Sequence, residues 1–375
     1  ICHCLVGSEM CIRDSNITVS DALSPNEWAT IKAKTGGTVT ASGGFSAALS
    51  QYASTTALET NWDNAVTANP NTAVAITDTK LTTSDHITAL NLVANDATHT
   101  GANAKITATV EAALATLDVG NLKTASTDPI AFTVTDTDLV NADINDLNTL
   151  KGKTAGVVTI GDVTATASQL SALSTGTSDN VTLSASGTTN TIAEALVLAQ
   201  KTNALSNISI VGITDTQAKI SGTGVDDSAT GLSELKTLVG SSPTTATALD
   251  SLYGRVSGNV TISDGALSVD NAISIATFTV GSGNSAISYT ISDSAGHSAG
   301  TGDDIGVATT KASPNQSQVD VAIANATSVT ATGTLTIAQA EEMLENSSGN
   351  SLTDASGFTC LLYTSPSPRD SGTSR

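Results

Sequence analysis

The chain has 375 residues and a formal net charge of −20 at neutral pH, although only 13% of its residues are charged. That acidic balance argues against a nucleic-acid partner, because such partners are held mainly by basic side chains. No apolar run approaches the roughly 20 residues of a membrane-spanning helix. Aromatic residues make up 3% of the chain, so a core built on large rings is not expected.

The two ends of the chain read as translated DNA rather than natural protein. Leu5–Ser15 and Cys360–Arg369 can be encoded by opposite strands of one DNA stretch. That stretch resembles a transposase-type sequencing adapter, and such segments are set aside before fold reasoning. We therefore expect residues 1–15 and 360–375 to be adapter-derived, and residues 16–359 to be an interior piece of a longer protein.

All the cysteines fall within those two ends. They are Cys2, Cys4, Cys11 and Cys360. Residues 16–359 therefore offer no disulfide, no thiolate nucleophile and no cysteine ligand for zinc.

A short phrase recurs along the chain: an aliphatic residue, then Thr or Ser, then Asp. Its copies end at Asp21, Asp78, Asp136, Asp215, Asp264 and Asp293, with a weaker copy at Asp354. A second phrase, Lys-Thr-x-Gly followed by a strand pattern, occupies residues 34–37 and 153–156. Self-similarity of this kind indicates a solenoid or an array of domains.

The clearest unit begins near residue 131. Phe132 and Val134 alternate with threonines, which predicts a half-buried strand. Asp136 and Asp138 follow, and we expect them to cap free N–H groups of the next helix. That helix is predicted from one apolar face, made of Ile144, Leu147 and Leu150.

Strand patterns start near residues 132, 157, 181 and 207, with helix patterns between them. Strands separated by helices pair in parallel, and stacked coils bury an apolar face that one coil cannot bury alone. We therefore predict an α/β fold, a repetitive solenoid of ~25-residue strand–turn–helix coils with parallel strands. Weaker units are predicted near residues 38, 73, 105, 260 and 327.

The predicted solenoid covers residues 16–280, followed by a Gly/Ser-rich loop or degenerate coil at 281–306 and a further repeat unit at 307–359. The alternative architecture is an all-β array of sandwich domains. It leaves three helix-like stretches without an explanation, at residues 111–117, 193–200 and 338–344.

Two glycine-rich turns supply the candidate metal ligands. Residues 222–227 read Gly-Thr-Gly-Val-Asp-Asp, and residues 300–304 read Gly-Thr-Gly-Asp-Asp. In β-roll repeats the glycines open the turn and aspartate oxygens bind calcium. The calcium candidates are therefore Asp226, Asp227, Asp303 and Asp304. The phrase is not repeated in tandem every nine residues, so an exposed acidic turn is the competing interpretation.

The sequence suggests no catalytic residue and no organic cofactor. His86, His99 and His297 are scattered, and we expect them at the surface. Carboxylates are plentiful, but a glycosidase pair also needs a pocket and shifted pKa values. We expect Trp28 and Trp62 to pack in the core rather than to stack on sugars.

Several phrases resemble the giant Thr/Ala/Asp-rich repeat proteins of marine bacteria, including cell-surface proteins of marine picocyanobacteria. The phrases lie at Phe132–Leu139, Leu147–Val158 and Thr332–Glu342. The resemblance implies an extracellular or surface-attached protein with an adhesive, matrix or motility-related role, and it brings no catalytic residues.

The sequence thus predicts a non-enzymatic, stiff, acidic spacer. Its expected partners are surface polysaccharide or neighbouring repeats of the same chain. Two alternatives stay open: a calcium-dependent β-roll adhesin segment, and a carbohydrate-binding or hydrolytic module.

Overall fold

The computed structural model describes residues 14–226, 230–240, 243–281, 285–294, 316–332 and 351–352. These fall into two compact units. One lies within residues 14–186 and 193–209, and the other within 187–192 and from 210 onward.

Short strands alternate with helices throughout both units. The strands of the first unit are β1 (Ile17–Val19), β2 (Val39–Ala41), β3 (Phe45–Ala47), β4 (Val74–Ile76), β5 (Ile106–Thr107), β6 (Thr109–Ala112), β7 (Ala131–Val134), β8 (Leu139–Val140), β9 (Val158–Thr166), β10 (Asn180–Ser186) and β11 (Ile208–Ile210), whose last residue is grouped with the second unit. Its helices are α1 (Pro25–Lys32), α2 (Thr60–Ala68), α3 (Ser84–Ala94), α4 (Leu114–Leu117), α5 (Ile144–Lys151), α6 (Ala167–Leu170) and α7 (Ile192–Leu198), whose first residue is grouped with the second unit. Turns of 3-10 helix occupy Leu49–Gln51, Asn141–Asp143 and Leu205–Asn207.

The second unit continues the same alternation. Its strands are β12 (Ile213–Asp215), β13 (Val260–Leu267), β14 (Thr279–Val280), β15 (Ser285–Ala286), β16 (Ser288–Ser294), β17 (Ser328–Thr332) and β18 (Ser351–Leu352). Its helices are α8 (Gln217–Ile220), α9 (Thr230–Val239), α10 (Thr245–Tyr253), α11 (Val269–Ile273) and α12 (Gln316–Asn325).

The sheets are open and are built from parallel neighbours. In the first unit β1 pairs with β2, the order β3-β4-β5 forms a second sheet, and β6, β7, β9, β10 and β11 form a third. In the second unit the order is β12-β13-β16-β17-β18, again parallel, while β14 and β15 pair antiparallel. This mixed α/β architecture with parallel strands confirms the predicted class, and the described residues do not form the all-β sandwiches of the alternative.

The unit near residue 131 shows how side-chain pattern becomes packing. Phe132 and Val134 of β7 are buried, and Ala131 and Thr133, which alternate with them, are half-buried. One face of α5 is buried through Ile144, Leu147 and Leu150, as predicted. The predicted strand starts at 132, 157, 181 and 207 each lie within one residue of an observed strand start.

The weaker predicted units near residues 38, 73, 105, 260 and 327 each coincide with an observed strand. The stretch 111–117 was predicted as helix-like, which is wrong at its beginning. Glu111 belongs to β6, where it pairs with Thr133, and the helix starts only at Leu114. Residues 288–294 form β16 inside the Gly/Ser-rich stretch, and residues 338–344 lie outside the described part.

In both copies, the Lys-Thr-x-Gly phrase contacts the residues that lie just before an earlier strand of the chain. The Thr154 hydroxyl donates to the carbonyl of Asp128 at 2.9 Å, and Gly156 N–H donates to that hydroxyl at 2.7 Å. A Cβ on Gly156 would lie 2.2 Å from the Ile130 carbonyl oxygen, so only glycine fits. Gly37 is equally constrained, because a Cβ there would lie 2.3 Å from the Ser15 oxygen.

Candidate functional site

The aliphatic–Thr/Ser–Asp phrase has one structural role at five of its copies. In four of them, the aspartate lies within two residues of the end of a strand; the fifth, Asp264, lies inside β13. Its carboxylate accepts a hydrogen bond from the first backbone N–H of a helix or 3-10 turn, which follows the neighbouring strand or, for Asp215, the isolated bridge between Asn190 and Ile213. The bonds are Leu49 to Asp78 (2.6 Å), Leu114 to Asp136 (2.8 Å), Ile192 to Asp215 (2.9 Å), Gln217 to Asp264 (2.6 Å) and Val269 to Asp293 (2.8 Å).

Three of these bonds replace caps that the local sequence does not provide, whereas α11 also has its own cap, a hydrogen bond from the Asn271 N–H to the Ser268 hydroxyl. The N-cap residues Ala48, Ala113 and Thr216 make no side-chain capping bond. A helix start leaves its first N–H groups without partners inside the helix, and a nearby carboxylate both accepts the bond and favours the positive end of the helix. At these three starts, the aspartate therefore supplies the hydrogen-bond acceptor that the helix's own sequence lacks.

Three other helices are capped by a residue of their own segment and not by an aspartate of another strand. Ser24 and Thr166 each form a reciprocal capping box with the residue three positions later. Thr83 caps α3 through a 3.2 Å bond from the His86 N–H. The strand register places Ala47, Ala113 and Gly187 beside these three helix starts, and none of them carries a carboxylate.

Asp136 caps a helix, as predicted, but not the helix that we expected. We expected it to cap the following helix α5, but it caps α4, which precedes it in the chain. Parallel pairing of β6 with β7 places the end of β7 beside the start of α4. Asp138 bonds only to the adjacent Thr137 hydroxyl, at 3.2 Å, and is exposed.

An acidic cleft with a volume of about 720 Å³ lies around these two residues. Its lining includes five carboxylates and no lysine or arginine. They belong to Asp118, Asp136, Asp138, Asp143 and Asp146. Three of the five carboxylates also accept hydrogen bonds that stabilise the local structure. Asp136 caps α4, Asp143 accepts a hydrogen bond from the Val140 N–H at 2.8 Å, and Asp118 accepts one from the Asn121 side-chain amide.

A second pair of aspartates is buried where strands begin. Asp179 is fully buried, accepts the Val158 and Gly176 N–H groups at 2.8 Å each, and pairs with Lys151 Nζ at 2.8 Å. Asp128 has the same arrangement without a lysine, accepting from Ile106 and Ala125. These carboxylates are fully engaged by backbone donors, so they act as braces between neighbouring strands.

The calcium candidates are not brought together within the described residues. Asp226 is exposed, while Asp227, Asp303 and Asp304 lie outside the described part. Gly222 adopts a positive φ of +87°, as expected for a turn. Among the residues that the structure describes, no group of three or more His, Cys, Asp or Glu side chains could hold a metal ion.

The aromatic residues pack in the core. Trp28 and Trp62 are buried, as predicted. His86 and His99, which were expected at the surface, are both half-buried, and the His99 ring packs edge-on against Trp62 at 5.7 Å between centroids. The Tyr253 hydroxyl donates to the Ile220 carbonyl at 2.6 Å, and burial, reinforced by the charges of Asp215 and Asp250, raises its pKa far above the usual value.

One motif escaped the sequence reasoning. Residues 296–300 read Gly-His-Ser-Ala-Gly, the Gly-x-Ser-x-Gly pattern of a serine nucleophile on a strand-to-helix turn. They begin two residues after the end of β16 and lie outside the described residues. His297 belongs to the same stretch.

No helix in the described part of the chain combines the length and the apolar character needed to cross a membrane. The chain matches no known protein-family model, no curated protein and no solved structure.

Proposed function

We propose that this chain is a non-enzymatic structural segment of a large secreted or cell-surface protein, built as a solenoid of stacked strand–helix coils. The observation that carries the proposal is the set of five aspartates that cap a helix start beside the neighbouring strand. The bonded residues are separated by 22, 23, 24, 29 and 47 positions, so most bonds join places about one coil apart.

Such bonds give stacked coils a fixed register. Each bond joins a residue in or just after one strand to the start of the helix beside it. Strand pairing alone does not fix the register, because a shift of two residues leaves every side chain on the same face of the sheet. The buried pair Asp179–Lys151 adds a second tie at the opposite end of the strands. A stack held at both ends of its strands is stiff, which is what a spacer requires.

The extracellular part of the proposal rests on composition and resemblance. The net charge of −20 keeps the surface solvated in salt water. The phrase-level resemblance is to surface proteins of marine bacteria. Surface polysaccharide or neighbouring repeats are the proposed partners.

Hydrogen exchange tests the stacking. In Asp136→Ala, exchange of the α4 and β7 amides should rise most, and the effect should fall off with each strand farther along the sheet, because a solenoid couples only nearest neighbours. Asp138→Ala removes the same charge from the same cleft and serves as the control. A uniform rise across the first unit in Asp136→Ala would contradict a stack of coils.

Two further measurements test the rest of the proposal. Antibody against the purified chain should label intact, unpermeabilised producing cells; labelling only after permeabilisation would refute a surface location. The purified chain should not hydrolyse small esters or oligosaccharides. Ester hydrolysis that disappears in Ser298→Ala would overturn the non-enzymatic assignment.

A further inference from the structure

The start of α3 is capped by a histidine side chain. The Thr82 N–H donates to Nδ1 of His86 at 3.1 Å, and the His86 N–H donates to the Thr83 hydroxyl at 3.2 Å. These two bonds form a reciprocal cap similar to those of α1 and α6, in which Glu27 and Gln169 provide the side-chain acceptor. In α3 an imidazole takes the place of the carboxylate or the amide.

An imidazole nitrogen accepts a hydrogen bond only when it carries no proton. Because a backbone N–H can only donate, Nδ1 of His86 is unprotonated and the ring proton is on Nε2. Protonation of the ring places a hydrogen on Nδ1 and removes the acceptor of the Thr82 N–H. It also brings a positive charge to the N-terminal end of a helix, where the helix dipole disfavours cations. Both effects act in the same direction, so acidification weakens this cap.

His99 provides a contrast within the same unit. Its Nε2 lies 2.7 Å from the Thr72 carbonyl oxygen. A carbonyl oxygen can only accept, so this ring nitrogen donates whether the ring is neutral or charged. Protonation therefore leaves the His99 bond in place. Of the two histidines that the structure describes, His86 is the one that loses its bond on acidification.

The segment that His86 holds connects two sheets of the first unit. Residues 77–83 lead from β4, in the second sheet, to α3. Within this segment the Asp78 carboxylate caps the 3-10 turn at Leu49. Leu81 forms a parallel bridge with Val110 of β6, which belongs to the third sheet. A change at the start of α3 therefore acts where the two sheets are joined.

The charged groups around the start of α3 are carboxylates and one lysine. Asp85 lies in the first turn of the helix. The helix packs chiefly against the turn Leu49–Gln51 and against α4, whose own residues carry no charge. The charged groups at the borders of these elements are Asp78, Asp118 and Asp136, together with the pair Lys80–Glu111. Imidazole is the side-chain group that ordinarily changes its charge between pH 8 and 5, so the response is expected from His86.

We propose that His86 makes the start of α3 a pH-sensitive joint. The segment 77–86 is held in place while the imidazole is neutral and is released locally when the imidazole is protonated. The joint lies within the first unit and does not depend on the proposed role of the chain as a spacer.

Hydrogen exchange of the full chain at pH 8 and pH 5.5, corrected for the intrinsic pH dependence of amide exchange, tests the joint. Protection of the amides of residues 82–87 should fall about fivefold at the lower pH, as expected for loss of a helix cap. His86→Gln keeps a neutral acceptor, as Gln169 does in α6, and should match the parent at pH 8 and show no such fall at pH 5.5. The amides near Thr72 and His99 are the internal control and should keep their protection.

Equal pH responses of the parent and of His86→Gln would overturn the proposal, because the titrating group would then lie elsewhere. An α3 start that does not respond in the parent would overturn it as well. So would a uniform loss of protection across the first unit, since the change would not be local. Nitrogen NMR of the imidazole is a second readout that needs no variant: at pH 8 the ring proton of His86 should be on Nε2, and a proton on Nδ1 would contradict the cap. Circular dichroism verifies that His86→Gln folds like the parent.

Discussion

Replacing Asp136 by alanine removes the 2.8 Å bond from the Leu114 N–H, the cap of a helix whose own N-cap residue is Ala113. A hydrogen bond to a charged group contributes about 1.5–3 kcal/mol, and loss of a helix cap costs about 0.5–2 kcal/mol. Removing one charge from the acidic cleft works in the opposite direction, because four other carboxylates line it.

Asp138→Ala isolates the capping contribution, because Asp138 lies in the same cleft and caps nothing. We expect the free energy of unfolding of Asp136→Ala to fall about 1.5 kcal/mol below that of Asp138→Ala. For a unit of this size that corresponds to a melting temperature lower by about 3–6 °C. Urea unfolding and thermal unfolding, each followed by circular dichroism, measure the free energy of unfolding and the melting temperature of the two variants. Equal stability of the two variants would refute the argument that the cross-strand aspartate caps the helix.

Lys151→Met leaves the buried Asp179 charge unpaired and should cost about 3 kcal/mol in urea unfolding, whereas Lys80→Met, at an exposed pair with Glu111, should cost less than about 1 kcal/mol. Gly156→Ala forces a Cβ against the Ile130 carbonyl and should lower the melting temperature sharply. Gly176→Ala, with open space around it, should change the stability by about 0.5 kcal/mol or less. Burial raises the pKa of three phenols above the usual value of about 10, those of Tyr52, Tyr253 and Tyr289. The stability that these protons contribute is fully present below about pH 10 and is lost as the pH rises further, so absorbance at 295 nm should show the three ionising only as the chain unfolds. An absorbance change near pH 10 that accounts for all four tyrosines of the folded chain would contradict the burial.

Local pattern was sufficient for the positions of most strands and for the buried face of α5. Phe132 and Val134 alternate with smaller polar residues because one face of the strand is buried, and that cause acts directly on the sequence. Glu111 shows the limit of such patterns. Its neighbourhood suits a helix, but pairing of β6 with β7 holds it in a strand, since tertiary context overrides local propensity.

The candidate site was predictable in residue type and not in geometry. The repeated aspartates could be recognised as caps, because carboxylates favour helix starts. Which helix each one caps depends on which strands are neighbours, and the parallel pairing places the partner of Asp136 before it in the chain. The burial of Asp179 with Lys151 and the packing of His99 on Trp62 likewise join residues with no pattern in common.

By itself, then, the sequence determined the α/β class, the acidic surface and the recurrence of one capping phrase, because periodicity, charge and repetition are properties of the chain read in order. Tertiary structure alone decided that the phrase ties neighbouring strands together, that Gly156 must lack a side chain, and that Asp21 has no helix to cap among the described residues. Those features depend on distances between segments more than 20 residues apart in the chain, which are set only when the strands pair.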